Sequence, residues 1–427
     1  MFLLIILFIS IQTFSQSGWT NFNTDNSQIP YNQVNSIEFG NSPNSSNNIF
    51  IGTNYGLGIL ELDDFNLPNN SWISIYESDT QYGLMGNEII NIQKGINDEM
   101  WICTTEGISI LDFEYSQGEI INQQWSYINS NNSEIQSDMV KSILFEENNK
   151  TWIGSTGGLA LKENENWETY SFETQGIYSN NIKRIIKNYL TNDIYIGTLN
   201  GGFQLYNNST FESYNNTNSG LIDNTINDFV FDNNNNLIIT SPYGGLEVLT
   251  NSGNWLTLNT GTYPNLPFYI NSLNNVIVDN NNNLWISTVE NGLIQYSDDN
   301  WIFYNEENSG LTDNKINCLK YDSLYNRLWI GTETKGLTIL DLNFISNSST
   351  NQKIRKFKPY FTKNNLILNN SEIGICRIYN RIGELIHIER VTEKNTTIHL
   401  QNLYPEIYII QLVTMDKIFT KRLIRTI

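Results

Sequence analysis

The chain has few of the residues that enzymes use for nucleophilic or metal chemistry. Its 427 residues include three cysteines and two histidines, and both histidines, His387 and His399, lie near the C-terminus. A Ser-His-Asp, Cys-His or His-rich metal site is therefore excluded from the part of the chain before His387. Cys103, Cys318 and Cys376 form no disulfide framework, and we expect single buried thiols. The chain also lacks a P-loop and a dinucleotide fingerprint, so we expect no metal and no cofactor.

Long apolar runs are equally scarce. The apolar run over residues 2–9 is shorter than the ~20 residues that span a bilayer, and Thr13-Phe14-Ser15 follows it. Thr13 and Ser15 are small residues at the two positions that a signal peptidase reads. We predict a signal peptide over residues 1–15, no transmembrane segment in the mature chain, and a secreted or cell-surface protein exported through the periplasm.

A short phrase recurs seven times and predicts the fold. Its clearest copy is Leu328-Trp329-Ile330-Gly331-Thr332, and its second position falls at 50, 101, 152, 195, 238, 285 and 329. A period of 43 to 51 residues is typical of the blades of a β-propeller. Runs of alternating apolar residues, separated by Asn and Gly residues that favour turns, predict four short strands in each period. No segment shows a convincing helical pattern.

Landmark residues place the four strands of each period. Strand one begins at an Asn or Asp, strand two is the Trp-Ile-Gly-Thr phrase, strand three begins at a Gly, and strand four carries an aromatic residue. The seventh period ends at Leu340 without a fourth strand, and a spare one, Trp19-Thr20-Asn21-Phe22, precedes the first period. We therefore predict that the N-terminal strand closes a seven-bladed ring, which leaves no open sheet edge. The ten Trp residues fall on strands two and four, and we expect them to pack between blades.

Charge divides the chain into two parts. Residues 351–427 carry 13 Lys/Arg and 6 Asp/Glu, whereas the first 350 residues carry 11 and 38. This asymmetry predicts a propeller over 17–342, a linker over 343–358, and a small antiparallel β-sandwich over 359–427 with strands from Ile375 onward. Because the propeller is acidic, we expect it to bind neither nucleic acid nor an anionic membrane.

The C-terminal part carries three ordered motifs. A hairpin with Gly383 spans Arg377 to Ile386, an alternating block spans Ile398 to Ile410, and a basic last strand spans Lys417 to Ile424. Over residues 360–427 these motifs resemble the type A C-terminal sorting domain of type IX secretion. The resemblance implies the type IX secretion machinery as a partner, which would export the protein and remove this domain.

The repeats, most clearly from Asn314 to Gly336, resemble those of the two-component regulator propeller. In its best-known setting that propeller is the periplasmic sensor of a hybrid histidine kinase and responds to saccharides. These 427 residues contain no kinase and no receiver, so the resemblance implies only the fold and a ligand-binding role.

Two sets of residues are expected at the mouth of the propeller channel, the usual place for a ligand. The Asn/Asp ring has one member at the start of each blade: Asn32, Asn87, Asp138, Asn180, Asn224, Asn271 and Asn314. Capping of loop backbone groups is the favoured interpretation of this ring. The candidate ligand-binding residues vary between blades and precede strand three: Tyr55, Glu106, Asn200, Tyr243, Glu290, Glu333 and Lys335. Their aromatic faces, amides and carboxylates suit a sugar.

Two further runs, Asp232–Asn236 and Asp279–Asn283, partly resemble calcium loops. They lack the central Gly and the closing Glu of such a loop, so we predict turns between strands one and two.

Taken together, these patterns predict an exported or cell-surface propeller that recognises a carbohydrate or another protein. A polysaccharide lyase or hydrolase using channel-mouth carboxylates is an alternative, although no spacing nominates a catalytic pair. A structural adhesin is the third possibility. Catalysis is left open, with binding favoured and no catalytic residue assigned.

Overall fold

The computed structural model describes residues 18–424 with gaps at 41–47, 63–67, 80–81, 117–118, 148, 173–176, 208, 263–266, 298–299, 346–357, 363–364, 370–373, 381–384, 392–395, 401–403, 405–406 and 415–417. The predicted signal peptide, and residues 346–357 of the predicted linker, lie outside the described residues. Two compact units are present: Asn21–Ile339 forms one, and Leu340–Ile427 with Met1–Thr20 forms the other.

The strands up to Asp341 are short and follow the sequence period closely. They are β1 (Trp19–Phe22), β2 (Val34–Phe39), β3 (Asn48–Thr53), β4 (Gly56–Leu62), β5 (Pro68–Ile75), β6 (Ile89–Lys94), β7 (Met100–Thr104), β8 (Gly107–Ser116), β9 (Glu119–Ile128), β10 (Val140–Glu146), β11 (Lys150–Ser155), β12 (Leu159–Glu163), β13 (Asn166–Tyr170), β14 (Ile182–Lys187), β15 (Ile194–Thr198), β16 (Phe203–Asn207), β17 (Thr210–Tyr214), β18 (Asp228–Phe231), β19 (Leu237–Ser241), β20 (Gly245–Leu249), β21 (Trp255–Leu258), β22 (Leu273–Val278), β23 (Leu284–Thr288), β24 (Leu293–Ser297), β25 (Asn300–Tyr304), β26 (Ile316–Asp322), β27 (Arg327–Thr332) and β28 (Leu337–Asp341). The described helices are a 3-10 turn (Phe268–Asn271) and α1 (Leu342–Ile345). In the part of the chain that the structure describes, neither helix is long and apolar enough to cross a membrane.

These strands form seven four-stranded sheets among the described residues. Six sheets take four consecutive strands each, from β2–β5 through β22–β25, and the seventh has the order β1-β28-β27-β26. The first strands contact one another in a cycle that runs β2, β6, β10, β14, β18, β22, β26 and back to β2. The predicted all-β propeller architecture is therefore confirmed. A seven-bladed ring closed by the N-terminal strand is our interpretation of this strand order.

Hydrogen bonds join the last sheet to the first residues of the ring. The Gly336 N–H donates to the Asn32 carbonyl at 2.8 Å, the bond that Gly56, Gly202 and Gly292 make to the blade that follows theirs. The Thr338 hydroxyl donates to Asn21 Oδ1 at 2.7 Å. The seventh sheet thus meets the first through the same contacts that join sheets elsewhere.

Strand two supplies many of the large buried side chains, as its apolar motif predicts. Trp152, Trp285 and Trp329 are almost fully buried. Two of them contact rings of neighbouring blades: the rings of Trp152 and Tyr206 are 4.8 Å apart, and those of Phe39 and Trp329 are 6.1 Å apart. The Trp285 ring stacks on Tyr304 of its own blade. Edge-to-face pairs of this kind stabilise a fold beyond the burial of their area. The expected packing of Trp residues between blades is thus present.

Strand one differs from its prediction. It begins two residues after the Asn or Asp in six blades, and at Asp228 in the fifth, four residues after Asn224. The reason is local, because the side-chain oxygen of the Asn or Asp accepts a backbone hydrogen bond from the preceding loop. Strand one also starts with a β-bulge in six sheets, as between Val140 and Ser142 and between Ile182 and Arg184.

The C-terminal residues form two antiparallel sheets. Their strands are β29 (Lys358–Phe361), β30 (Asn365–Asn369), β31 (Gly374–Tyr379), β32 (Leu385–Val391), β33 (Thr396–His399), β34 (Ile407–Thr414) and β35 (Ile418–Ile424). The sheet orders are β29-β30-β33 and β32-β31-β34-β35. Leu366, Ile378, Ile398 and Tyr408 from both sheets share one core, as in the predicted sandwich. The strands β29 and β30 are additional to those predicted from Ile375 onward.

The three cysteines are free thiols, as expected. Cys103 and Cys376 are buried and Cys318 is half-buried. Burial raises the pKa of Cys318 to about 12 and that of Cys376 to about 12, which keeps both thiols protonated and unreactive at neutral pH.

Candidate functional site

The Asn/Asp ring caps the loops between blades. In each blade the side-chain oxygen of the ring residue accepts a backbone N–H from the loop after strand four of the preceding blade. The pairs are Thr24 to Asn32 (2.9 Å), Glu77 to Asn87 (2.8 Å), Ser130 to Asp138 (2.6 Å), Phe172 to Asn180 (2.7 Å), Asn216 to Asn224 (2.8 Å), Thr260 to Asn271 (3.0 Å) and Glu306 to Asn314 (3.0 Å). An oxygen committed to a backbone donor is a structural cap, so the favoured interpretation of the ring is confirmed.

Two groups of loops lie together at one end of the ring. The residue that follows strand two donates its N–H to a carbonyl just before strand one of the same blade, as from Asn54 to Gln33 (3.0 Å) and from Glu333 to Lys315 (3.0 Å). Equivalent bonds occur in the second, third, fourth and sixth blades. We call the loops that lead into strand one and those that join strands two and three the loop face. All seven candidate ligand-binding residues lie on it.

The two candidate tyrosines are exposed on this face. The Tyr55 side chain is 55% exposed, and its ring lies 5.9 Å from that of Tyr76. The Tyr243 side chain is 81% exposed, and its backbone N–H donates to Asp223 Oδ2 at 3.2 Å. Tyr55 belongs to the first blade and Tyr243 to the fifth. Each offers an open aromatic face on an anchored loop.

Two of the polar candidates, Glu290 and Glu333, lie near Lys315, and Lys335 belongs to the same loop as Glu333. The Glu290 carboxylate lies 3.1 Å from Lys315 Nζ, and this hydrogen bond raises the pKa of Lys315. Glu333 and Lys335 follow strand two of the same blade as Lys315. Because Glu290 belongs to the sixth blade and Lys315 to the seventh, the ion pair bridges two blades. It is exposed, so it contributes little to stability.

The other polar candidates stand apart from this group. Glu106 is exposed in the second blade. Asn200 is also exposed, but its Oδ1 accepts a hydrogen bond from the Thr225 hydroxyl at 3.0 Å, and its backbone has a positive φ of 65°. Asn tolerates this left-handed conformation better than most residues, which gives Asn200 a structural reason to be present.

Sequence reasoning missed most of the apolar surface of the loop face. Among the described residues of 21–339, sixteen large apolar side chains are exposed, four of them on the opposite face and four on strand four. The other eight lie on the loop face: Tyr31, Tyr55, Met139, Phe172, Tyr178, Ile222, Tyr243 and Val289. Four of these, Phe172, Tyr178, Ile222 and Tyr243, belong to loops of the fourth and fifth blades, and we call them the blade 4–5 patch.

A sequence signal for the patch does exist. The loops before strand one read apolar-x-Ser/Asp-Asn, as in Ile177-Tyr178-Ser179-Asn180 and Leu221-Ile222-Asp223-Asn224. The first position is buried, at 1% exposure in Ile177 and 3% in Leu221, and the second position is exposed. Its identity varies between blades, so it is a position where a binding surface can differ without disturbing the fold.

A buried carboxyl lies beneath the patch. Glu247 on β20 accepts hydrogen bonds from the Ile222 N–H and, at 3.1 Å, from the Ser241 hydroxyl. Its side chain is fully buried. Burial raises the pKa of Glu247 to about 7, although these hydrogen bonds act in the opposite direction. The loop that presents Ile222 therefore rests on a group that titrates near neutral pH.

The two Asp/Asn runs are turns, as predicted. Asp232 Oδ1 accepts the N–H groups of Asn234 and Asn236 at 2.9 and 2.8 Å. Asp279 makes the equivalent bonds in the sixth blade and also accepts the Trp285 indole N–H at 3.0 Å. Their carboxylates are thus used by the fold. No cluster of three metal-ligating side chains occurs in the described part of the chain.

A cavity of about 720 Å³ lies between the fifth and sixth sheets. Trp255, Tyr296, Asn236 and Asn282 are among the residues that line it. Asn236 and Asn282 belong to the turns between strands one and two. None of these lining residues is one of the seven candidate ligand-binding residues. A binding experiment must therefore distinguish this cavity from the loop face.

Comparison with known proteins supports the fold. The extracellular domain of the two-component-system-like protein BT3049 from B. thetaiotaomicron is similar, with a TM-score of 0.61 and 16% identity over 96% of this chain and 58% of that one. PorZ, a surface component of the type IX secretion system of Porphyromonas gingivalis, gives a TM-score of 0.56 and 17% identity over 92% of this chain and 60% of that one. Virginiamycin B lyase from Staphylococcus aureus gives 0.53 and 12% identity over 76% and 98%. This chain thus spans about three fifths of the length of the first two. No family model and no curated protein matches the chain.

The fold and the loop face define a class of protein, a β-propeller with a C-terminal β-sandwich. Identities of 12 to 17% carry this assignment of fold and nothing finer.

Proposed function

We propose that the protein is an exported propeller that binds a carbohydrate on its loop face. The observation that carries this proposal is the distribution of exposed apolar side chains, half of which lie on that face. The fold does not require exposed tyrosines on the loop face, because the blades already bury aromatic residues between their sheets. Exposed apolar patches of this kind mark binding sites.

The chemistry of the patch favours a saccharide over an apolar ligand. Tyr178 and Tyr243 are 55% and 81% exposed and have polar neighbours, since Ser179 adjoins Tyr178 and Asp223 accepts the Tyr243 backbone N–H. Asn200 is bonded to Thr225, two residues after Asp223. Aromatic faces beside amide, hydroxyl and carboxylate groups provide both the apolar contact and the directional hydrogen bonds that a sugar ring uses.

Export is proposed from the C-terminal unit. The three motifs that resemble the type A sorting domain fall on β31 to β35 of this unit, and that resemblance supports the proposal. A chain that ends at residue 342 should then remain in the periplasm of a bacterium with type IX secretion, whereas the full chain reaches the surface or the medium. Equal export of both chains would overturn the sorting role and leave the binding role standing.

The binding role is tested with the full chain on an array of neutral and acidic oligosaccharides, followed by calorimetry with the best oligosaccharide. Tyr178→Ala and Tyr243→Ala should each weaken binding by about tenfold or more, because each removes an aromatic contact worth ~1–2 kcal/mol. Tyr189→Ala is the matched control, since Tyr189 is 79% exposed on the opposite face between β14 and β15.

Two outcomes would contradict the proposal. Binding that falls equally in Tyr189→Ala and Tyr243→Ala would show that the loop face has no special role. Failure of the full chain to bind any oligosaccharide would remove the carbohydrate and leave a protein partner for the patch.

A further inference from the structure

The first strands of the blades carry six cations, and four of them are neutralised by a carboxylate. The pairs are Lys94 with Asp98 (2.6 Å), Arg184 with Asp228 (3.0 Å), Lys187 with Glu146 (2.8 Å) and Lys320 with Glu38 (2.8 Å). Three of these pairs join neighbouring blades, so a first-strand cation is usually matched by a carboxylate, most often on the adjacent blade. This pairing is expected where charges are partly withdrawn from water.

Lys141 and Lys183 are the two exceptions among the described first strands. Lys141 Nζ reaches only the neutral Asn181 Oδ1, at 3.4 Å, and Lys183 has no carboxylate within ion-pair distance in the described structure. Both side chains are only half-exposed. The carboxylates of the neighbouring first strands, Glu146 and Asp228, are already paired.

The two lysines occupy equivalent positions on adjacent strands. Each is the second residue of its strand, at the β-bulge of β10 or β14, and these two strands contact each other. A bulge turns its extra residue out of the regular ladder and is common beside functional sites. Burial lowers the pKa of Lys141, and the Lys183 charge lowers that pKa further; burial also lowers the pKa of Lys183. The two ammonium groups thus repel each other with no anion between them.

In four of the other five blades the equivalent position is a neutral amide that takes part in a hydrogen bond, and in the second blade it is Ile90. Asn35 Nδ2 donates to the Ile89 carbonyl at 2.9 Å, Asn227 Nδ2 to the Leu273 carbonyl at 2.8 Å, and Asn274 Nδ2 to the Ile316 carbonyl at 3.1 Å. An asparagine here ties one blade to the next. A lysine at this position in two adjacent blades lacks the amide that makes this bond and places two positive charges close together. Neither effect stabilises the fold.

We propose that Lys141 and Lys183 form a site for an oxyanion, the carboxylate of an acidic saccharide that lies on the loop face. Tyr178, of the blade 4–5 patch, lies five residues before Lys183 in the loop that leads into the same strand. A chain of sugar rings on the patch can therefore place an acidic group at the channel mouth. The ammonium pair provides charge-assisted hydrogen bonds to that group. This inference rests on the proposed function for the saccharide, but the oxyanion site itself stands on the lysines alone.

The test compares trigalacturonate, neutral galactotriose and inorganic sulfate as ligands of the full chain, by calorimetry at constant ionic strength. Lys141→Met and Lys183→Met should each weaken trigalacturonate binding about tenfold, as expected for loss of one charge-assisted hydrogen bond. Lys94→Met is the matched control, because Lys94 lies at the far end of its strand and is paired with Asp98. The double variant should melt no lower than the wild type without ligand, since it removes the repulsion.

Each outcome decides one part of the proposal. Equal trigalacturonate binding by the wild type and the double variant overturns the oxyanion site. Binding of neutral galactotriose alone overturns the site and leaves the proposed function intact. Sulfate binding as tight as trigalacturonate binding, and lost in the double variant, supports the site and overturns its saccharide source. Lysine-dependent sulfate binding with no saccharide binding supports the site and contradicts the proposed function.

Discussion

Glu247 makes the stability of the propeller depend on pH in a defined direction. The carboxyl is buried beneath the blade 4–5 patch, and its pKa is raised to about 7 from the usual 4.5. A raised pKa means that the folded protein favours the protonated acid. The stabilisation is therefore complete below the pKa of the unfolded chain and is lost as the pH rises through 7. The whole shift corresponds to about 3 kcal/mol, most of which is lost between pH 5 and pH 8.

The substitution Glu247→Gln removes this titration and keeps the shape of the side chain. Its amide oxygen can still accept the Ile222 N–H, and the Ser241 hydroxyl can accept from its amide nitrogen. Urea unfolding of both proteins at pH 5 and pH 8 gives two free-energy differences. We expect the stability of the variant relative to the wild type to be about 2–3 kcal/mol greater at pH 8 than at pH 5. Equal differences at the two pH values would refute the assignment to Glu247.

Two further substitutions test the construction of the ring. Asn87→Ala removes the oxygen that caps the Glu77 N–H and should lower the free energy of unfolding by about 1 kcal/mol, measured by urea denaturation. Gly336→Ala should cost about 2–4 kcal/mol, because φ is +87° there and a Cβ would overlap the Phe22 carbonyl oxygen of the N-terminal strand. Gly253→Ala is the control at φ +85° with open space around it, and its cost should stay near ~1 kcal/mol; equal costs at both glycines would speak against the N-terminal strand lying beside β28.

The architecture could be predicted because its signals are local and repeated. The phrase around Trp329 marks strand two in every blade, and the spare strand at Trp19 marks the N-terminal member of the last sheet. The strands β29 and β30 escaped prediction because they have only four and five residues, too few to show a clear alternation. Leu366 and Leu368 become core residues only when the second sheet covers them.

Positions on the loop face could be selected from the sequence, but the composition of the proposed site could not. Loop positions such as Tyr243 could be selected because they vary between repeats, whereas Tyr178 and Ile222 lie inside a repeated loop motif that suggests structure alone. Lys183 is unusual because no carboxylate lies within ion-pair distance of it in the described structure. Arg184, the next residue, is paired with Asp228 on another blade, and only the folded ring shows which cation has a partner.

Amide hydrogen exchange of the full chain, with and without the best-binding oligosaccharide, tests the loop face most directly. We expect slower exchange in the segments 139–142, 177–183, 198–202, 221–225 and 241–245, which carry both lysines of the site and Tyr178, Ile222 and Tyr243 of the blade 4–5 patch. Protection confined to the turns Asp232–Asn236 and Asp279–Asn283, beside the cavity between the fifth and sixth sheets, would contradict it.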